Sequence, residues 1–417
     1  MSGNEIVVGL DVGTSKVRAI IGEIGNGTLN IVGVGTADSE GIRKGSIVDI
    51  DLTVKSIRQA IEHAERMIGV GIADVYVGIT GHHIALLSSK GVVAVSNEDR
   101  EIGEEDVERV LQAAKVVALP PEREIVGIVP RQYLVDGLDG IQDPRGMIGV
   151  RLEVEATLVT GAKTAIHNLV RCVERAGVHV AGLVLTPLAE GQLALSRDEK
   201  TVGVVLVDIG AGTTTISVFE EGHLAATSTL PVGGDLITSD IAYGLKTRKD
   251  VAEKIKLKYG CALVELADGK QLFKAARIGD DLENEYSQVE LAHIIEPRVL
   301  EMFQLIAQEV RRLGVQDPPG GFVLTGGAVS LPGMLAAAGR ELGASVRIAM
   351  PDYVGVRDPS YTGGVGIIRY VAGFVRPRSP LSTSKRPVFS RKSSRQQTAA
   401  SKPGVLERFK NWISDYI

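Results

Sequence analysis

Over much of the chain, apolar residues fall in short runs separated by glycine-rich turns, a pattern that predicts many strands and fewer helices. Val7, Val8 and Leu10 form a run ending in a carboxylate, Asp11. Gly13, Thr14 and Ser15 then turn the chain, and Val17 to Ile21 returns as a second strand, giving a hairpin. Leu29 to Gly35 predicts a third strand, 41–49 a turn with a short strand, and Val75 to Thr80 an alternating strand. Between them Leu52, Ile57, Ala60, Ile61, Ala64 and Ile68 fall near helical spacing, so 52–69 reads as an amphipathic helix.

The opening order returns at 204–219, VVLVDIGAGTTTISVF. An apolar run again ends in Asp208, followed by Gly210, Gly212, Thr213, Thr214 and a β-branched strand. One Gly-Thr turn is often only a turn. Two with the same order predict two similar halves facing each other across a cleft. In the second half, Leu224 to Leu230 predicts a strand, 236–243 and 248–258 helices, 264–273 an extended segment and 291–312 a long helix. Asp235 stands where it caps the helix that follows Gly233-Gly234. Phe322 to Ser330 reads as a strand running into a Gly-Gly turn, with Pro332 starting the next helix.

Residues 84–160 interrupt the first half. The pattern predicts two short strands around Gly91, a helix over 104–117 with acids in its first turn, and strands at 125–134 and 150–159. This is a compact α+β insertion. A helix at 163–176, a strand at 178–185 and a helix from Leu185 lead back toward the second hairpin.

The end of the chain differs. Residues 376–402 carry eight Lys or Arg and no acid among Ser, Pro and Gln, a composition that predicts a disordered tether. In the last 14 residues Val405, Leu406, Phe409, Trp412, Ile413, Tyr416 and Ile417 form one apolar stripe. As a helix of about 20 Å the segment is too short to span roughly 30 Å of hydrocarbon. It suits the membrane interface, with each nearby cation adding about 1 kcal/mol at an anionic leaflet. Docking on the protein's own body or in a partner's groove is the other use of such a stripe.

With 44% hydrophobic and 23% charged residues, an ordinary globular core over two to four domains is within reach. The net charge of −5 says little overall, because the charge is unevenly spread, and no nucleic-acid partner is expected. The two cysteines, Cys172 and Cys261, lack metal spacing and read as reduced thiols. The opening MSGNEIVVG lacks the pattern of a signal peptide, and no long uncharged apolar run predicts a spanning helix, so a cytoplasmic setting is expected.

The candidate chemistry lies in the two turns. Backbone N–H groups and hydroxyls at the mouth of such a turn hold phosphate oxygens, with Lys16 beside them. Gly233-Gly234 and the Gly326-Gly327 junction bring bare backbone close to a ligand. Glu253 and Lys256 share a helix face, either as a surface pair or as a ribose contact.

These features together resemble the actin/hexokinase/heat-shock-chaperone ATPase superfamily, in which ATP and Mg²⁺ lie between two ribonuclease-H-like halves. More narrowly, the chain resembles the FtsA family of bacterial cell-division proteins from end to end. The resemblance rests on LDVGTSKVRAIIGE at 10–23, GIRKGSIVDID at 41–51, LVDIGAGTTTISVF at 206–219, LPVGGDLIT at 230–238, VLTGGAVSLPGM at 323–334 and the tethered tail. It implies an α/β actin-like ATPase fold with an inserted α+β subdomain. Subdomain 1A would take 1–83 and 161–200, 1C 84–160, 2A 201–230 and 305–373, and 2B 231–304. A basic linker would fill 374–403 and a membrane-targeting helix 404–417.

The resemblance also implies roles. Asp11 and Asp208 would orient Mg²⁺ through water. Gly13, Thr14, Ser15, Lys16, Gly210, Gly212, Thr213 and Thr214 would hold the phosphates, Gly233 and Gly234 the sugar–phosphate side, and Glu253 and Lys256 the ribose and base. Gly326, Gly327 and Ala328 would border adenine. Relatives that hydrolyse ATP well carry Glu or Gln where this chain aligns Thr186, which implies ATP binding with slow hydrolysis. The family polymerises at the cytoplasmic face of the membrane at the division site. It anchors FtsZ by that protein's acidic C-terminal peptide, for which Arg298 is the best basic candidate, and it meets other division proteins. Alternatives within the superfamily are a PilM-like pilus scaffold and a sugar or acetate kinase. A chaperone ATPase would need a large substrate domain, for which no length remains.

Overall fold

The computed structural model describes residues 5–25, 28–279, 283–343 and 345–374. The predicted tether and the tail residues Val405 to Ile417 lie outside the described residues. The first half begins with β1 (Glu5–Val12), β2 (Lys16–Gly25), β3 (Thr28–Asp38), a small hairpin of β4 (Ile42–Arg43) and β5 (Ser46–Ile47), α1 (Ile50–Ile68) and β6 (Asp74–Ile79). The insertion holds β7 (Ala85–Ala94), α2 (Glu104–Ala114), β8 (Arg123–Val135), β9 (Leu138–Ile141) and β10 (Arg151–Ala162). The chain then returns through α3 (Lys163–Arg175), β11 (His179–Leu185), α4 (Thr186–Ala194) and α5 (Arg197–Val202).

The second half comprises β12 (Val204–Ile209), β13 (Thr214–Glu220), β14 (His223–Leu230), α6 (Gly234–Gly244), α7 (Lys249–Tyr259), β15 (Leu272–Ala276), β16 (Glu283–Ser287) and α8 (Gln288–Arg312). It ends with β17 (Phe322–Thr325), α9 (Met334–Leu342), β18 (Val346–Ile348) and α10 (Thr362–Ala372).

The two main sheets have the same plan. One runs β3-β2-β1-β6-β11 and the other β14-β13-β12-β17-β18. In each, three antiparallel strands are followed by two parallel ones. The strands that begin the two hairpins, β1 and β12, are central and buried, so they read as near-continuous apolar runs. Each carries its aspartate one residue before its C-terminal end, at the edge of the sheet where open α/β sheets bind ligands.

The caps follow sequence. Asp49 accepts the Leu52 N–H at 2.9 Å to start α1, and Ser287 with Glu290 forms a capping box on α8. Asp235 does not cap α6; Gly233 holds that position and Asp235 lies in the first turn. The insertion folds as a sheet of order β7-β10-β8-β9 with α2 on one face, sharing a core of Val107, Val110, Leu152 and Val154. Gly91 does not break a strand. It lies within β7, where a Cβ would come 2.2 Å from Val110 O, so the glycine lets α2 sit directly on the sheet. Residues 264–273 are not one extended segment; they form a short 3₁₀ turn at Val264–Leu266 before β15.

The last helix crosses between halves. Although the sequence groups 305–373 with the second half, α10 packs on β1, β2 and α4 of the first, sharing a core of Val7, Ile20, Ala189, Ile367 and Ile368. Glycine makes this approach possible: a Cβ on Gly22 would meet Ile368 Cγ2 at 2.5 Å, and one on Gly366 would meet Ala189 O at 2.7 Å.

Candidate functional site

The two halves close on one cleft of about 600 Å³. The turns after β1 and β12 are built alike. Gly13 N–H donates to Lys16 O at 3.0 Å, and Gly210 N–H to Thr213 O at 2.9 Å. In both turns the next two N–H groups, of Thr14 and Ser15 and of Ala211 and Gly212, donate to nothing among the described residues. All four residues line the cleft, and Thr14 lies against Gly212 from the other half. Four unpaired backbone donors facing one space form an anion-binding cradle.

Behind the turns stand Asp11 and Asp208, whose carboxylates have no hydrogen-bond or ion-pair partner among the described residues. Burial pushes the Asp11 carboxyl up, with Arg18 opposing. Burial and then Asp11 push Asp208 up to about 7, again against Arg18. Two acids without partners thus stand beside the unpaired N–H donors of the two turns. Arg18 itself is held aside, its Nη2 on Ser360 Oγ at 3.0 Å and its guanidinium 4.9 Å from the Tyr361 ring centroid.

The far wall is bare backbone. Gly326 has φ 92°, and a Cβ there would lie 2.2 Å from Asp208 Oδ1. Cβ positions at Gly234 and Ala328 come within 3.5 Å, with Lys256 Nζ equally near Gly234. Lys256 donates to Thr238 Oγ1 at 2.8 Å and Gly234 O at 3.2 Å and pairs with Glu253 at 2.7 Å. Glu253 in turn accepts from Thr238. The Glu253–Lys256 pair therefore belongs to the cleft wall.

Most expected residues meet here: Asp11, Gly13, Thr14, Ser15, Lys16, Thr186, Asp208, Gly210, Gly212, Thr213, Gly234, Glu253, Lys256, Gly326, Gly327 and Ala328 all line the cleft. Lys16 does so while paired with Asp38. Two do not. Thr214 is fully buried and its hydroxyl donates to Val232 O at 2.9 Å, because alternation along β13 turns it away from Thr213's side. A Cβ on Gly233 would lie 2.5 Å from Ala211 O, so this glycine lets α6 pack under the second turn. Arg298 lies on α8 away from the cleft, pairing with Asp240 at 2.6 Å and with Glu301.

The sequence did not single out several lining residues. The β4–β5 hairpin reaches over the cleft, with Gly45 N–H donating to Thr14 Oγ1 at 3.1 Å. His83, its basicity lowered to about 4 by burial and then by His82 and Arg123, also lines the cleft. Glu190 on α4 is 2% exposed; burial, then Asp208 and Asp11, push its carboxyl well up. The twin sheets, with a turn and an acid from each half at one cleft, define the class: this is an actin-like ATPase fold.

Solved structures share that fold. A protein of a PilM-PilN type IV pilus biogenesis complex superposes with a TM-score of 0.61 at 15% identity, covering 88% of this chain and 98% of that one. MreB5 of Spiroplasma citri bound to ADP gives 0.52 at 13% identity, covering 88% and 96%. The family model described as cell division protein FtsA matches residues 205–366, and that of the SHS2 domain inserted in FtsA matches 81–160. Cell division protein FtsA of Bacillus subtilis is 50% identical, covering 89% of this chain and 84% of the relative. That of Pseudomonas aeruginosa is 40% identical over 99% and 98%, and that of Escherichia coli 37% over 88% and 90%. The chain belongs to the FtsA family of cell division proteins. Among the described residues, no helix is long and apolar enough to cross a membrane.

Proposed function

We propose that this chain is an ATP-binding division protein that polymerises at the cytoplasmic face of the membrane and tethers the FtsZ ring there. The observation that carries the nucleotide reading is the pair of turns meeting across the cleft, with four unpaired N–H groups before two unpartnered acids. When bound, ATP with Mg²⁺ supplies a phosphoanhydride bond and the charge that matches those groups. The turn N–H groups, with Thr14 and Thr213, hold phosphate oxygens. Asp11 and Asp208 orient the cation through water. Glu253 and Lys256 meet the ribose, and the bare backbone at Gly326 and Gly327, with Ala328, accepts the flat base. Thr186 offers no carboxylate at the start of α4, so turnover is slow.

The division into subdomains 1A, 1C, 2A and 2B follows the family plan, with α10 added to the first half. FtsZ's acidic peptide docks on 2B, with Arg298 as the basic contact, and copies of the chain join as filaments. The tail stripe from Val405 to Ile417 lies in the interface of an anionic membrane, helped by the basic tether. Family membership supports this reading over the kinase and pilus-scaffold ones.

The test is co-sedimentation with anionic liposomes in ATP, comparing the full chain with one ending at Arg376, each with the FtsZ C-terminal peptide. The full chain pellets with lipid and carries the peptide; the truncation stays in solution. Equal pelleting of the two overturns the anchor.

A further inference from the structure

The α4 helix offers the cleft two side chains, one turn apart on the same face: Thr186 and Glu190. A helical side chain leans toward the N-terminus and covers the turn before its own Cα. Glu190 therefore reaches back over the position that Thr186 begins. The structure records this overlap at Gly363 of α10. A Cβ built there would lie 3.3 Å from Glu190 Oε1, 3.4 Å from Thr186 Cγ2 and 3.7 Å from Asp11 Oδ2. The glycine leaves the room that the carboxyl group fills. Thr186 turns its hydroxyl elsewhere: a Cβ on Gly78 of β6 would lie 2.9 Å from Thr186 Oγ1.

Glu190 is 2% exposed, and its carboxyl has no hydrogen-bond or ion-pair partner among the described residues. A buried carboxyl group without a partner costs stability, so its presence calls for a use. It lines the cleft near Asp11, which follows from the distances at Gly363.

We propose that Glu190, rather than Thr186, holds the water that attacks the terminal phosphate. This rests on the ATP reading of the cleft. A Glu190 oxygen accepts a hydrogen bond from the water and fixes its direction. The water oxygen bonds to the γ-phosphorus as the bond from that phosphorus to the β–γ bridging oxygen breaks. The bridging oxygen keeps the electron pair and leaves as ADP. The proton lost by the water passes to a phosphate oxygen and departs with inorganic phosphate. Glu190 ends unchanged. A carboxyl carried four residues past the aligned position therefore gives a turnover that is slow but not absent.

The experiment compares the full wild-type chain with Glu190→Leu, Glu190→Gln and Thr186→Ala. It reads single-turnover phosphate release and the affinities for ADP with beryllium fluoride, a ground-state mimic, and with aluminium fluoride, which needs an in-line water. Glu190→Leu slows release about 30-fold or more and loses ADP–aluminium fluoride affinity to a similar extent, while keeping ADP–beryllium fluoride within about threefold. Glu190→Gln, which retains an acceptor oxygen, recovers most of both. Thr186→Ala changes either by less than about threefold. Beryllium fluoride binding also shows that each variant is folded, and Glu190→Ala, which likewise lacks an acceptor oxygen, carries the test if Glu190→Leu is not. Wild-type ATP binding with unchanged hydrolysis in both Glu190 variants overturns the proposal alone. Wild-type binding without any turnover does the same. A wild-type chain that binds no nucleotide overturns the cleft reading and this inference with it.

Discussion

Thr14 of the first turn and Gly212 of the second touch across the cleft: a Cβ on Gly212 would lie 2.7 Å from Thr14 Oγ1. The two halves thus meet at the points where their free N–H groups are presented. Gly212→Val fills the gap and forces the turns apart. ATP affinity falls about tenfold or more, read by titration with a fluorescent analogue. The unfolding temperature changes little, because the clash lies at the cleft and not in either core. Unchanged affinity would show that the turns do not act together.

The acids give the empty protein a pH signature. Asp208 has its folded value raised from 3.8 to about 7. Its stabilising contribution is full below pH 3.8 and is lost as pH rises through about 7. Asp208→Asn removes that loss. Without ligand, the variant therefore melts above wild type at pH 8, on the order of 2–6 °C, and the gap narrows toward pH 5. The extra thermal protection that Mg²⁺ adds to ATP falls in the variant. A gap that ignores pH contradicts the burial of this carboxyl.

Gly326 is fixed by geometry from both directions. Its φ of 92° disfavours any side chain, and a Cβ would strike Asp208 Oδ1. Gly326→Ala costs about 2–4 kcal/mol in urea unfolding and weakens adenine nucleotides more than inorganic phosphate. A neutral substitution would remove this junction from the site.

Arg298 links α8 to Asp240 of α6 and to Glu301. In a partly exposed setting such pairs contribute about 1 kcal/mol or less. If Arg298 also meets an acidic peptide, Arg298→Ala reduces FtsZ-peptide affinity about fivefold or more by fluorescence anisotropy, with only that small loss of stability. Lost stability with intact affinity would make the residue a strut.

Where the chemistry is local, the sequence announces it. The Asp, Gly and Thr of each turn lie within a few residues of one another, and both hairpins follow from them, while the insertion follows from its own apolar pattern over 84–160. What distance and alternation control is hidden. Thr214 follows Thr213 directly but faces the other side of its strand. Gly91 looks like a break and is instead the place where a helix touches a sheet. The α10 helix owes its position to Gly364 and Gly366, where a Cβ would come 2.6 Å from Ile20 Cδ1 and 2.7 Å from Ala189 O; helix propensity penalises both, and the helix packs on strands more than 300 residues earlier. Glu190 escaped notice because its carboxyl arrives from one helical turn beyond the position that alignment marks.

The most direct test of the cleft is calorimetric titration of the full chain with ATP, with and without Mg²⁺, beside the double variant Asp11→Asn, Asp208→Asn. The account predicts one ATP per chain, bound about tenfold or more tightly with Mg²⁺ than without, and no Mg²⁺ effect in the variant. Binding that ignores both Mg²⁺ and the two acids, or no binding at all, would contradict it.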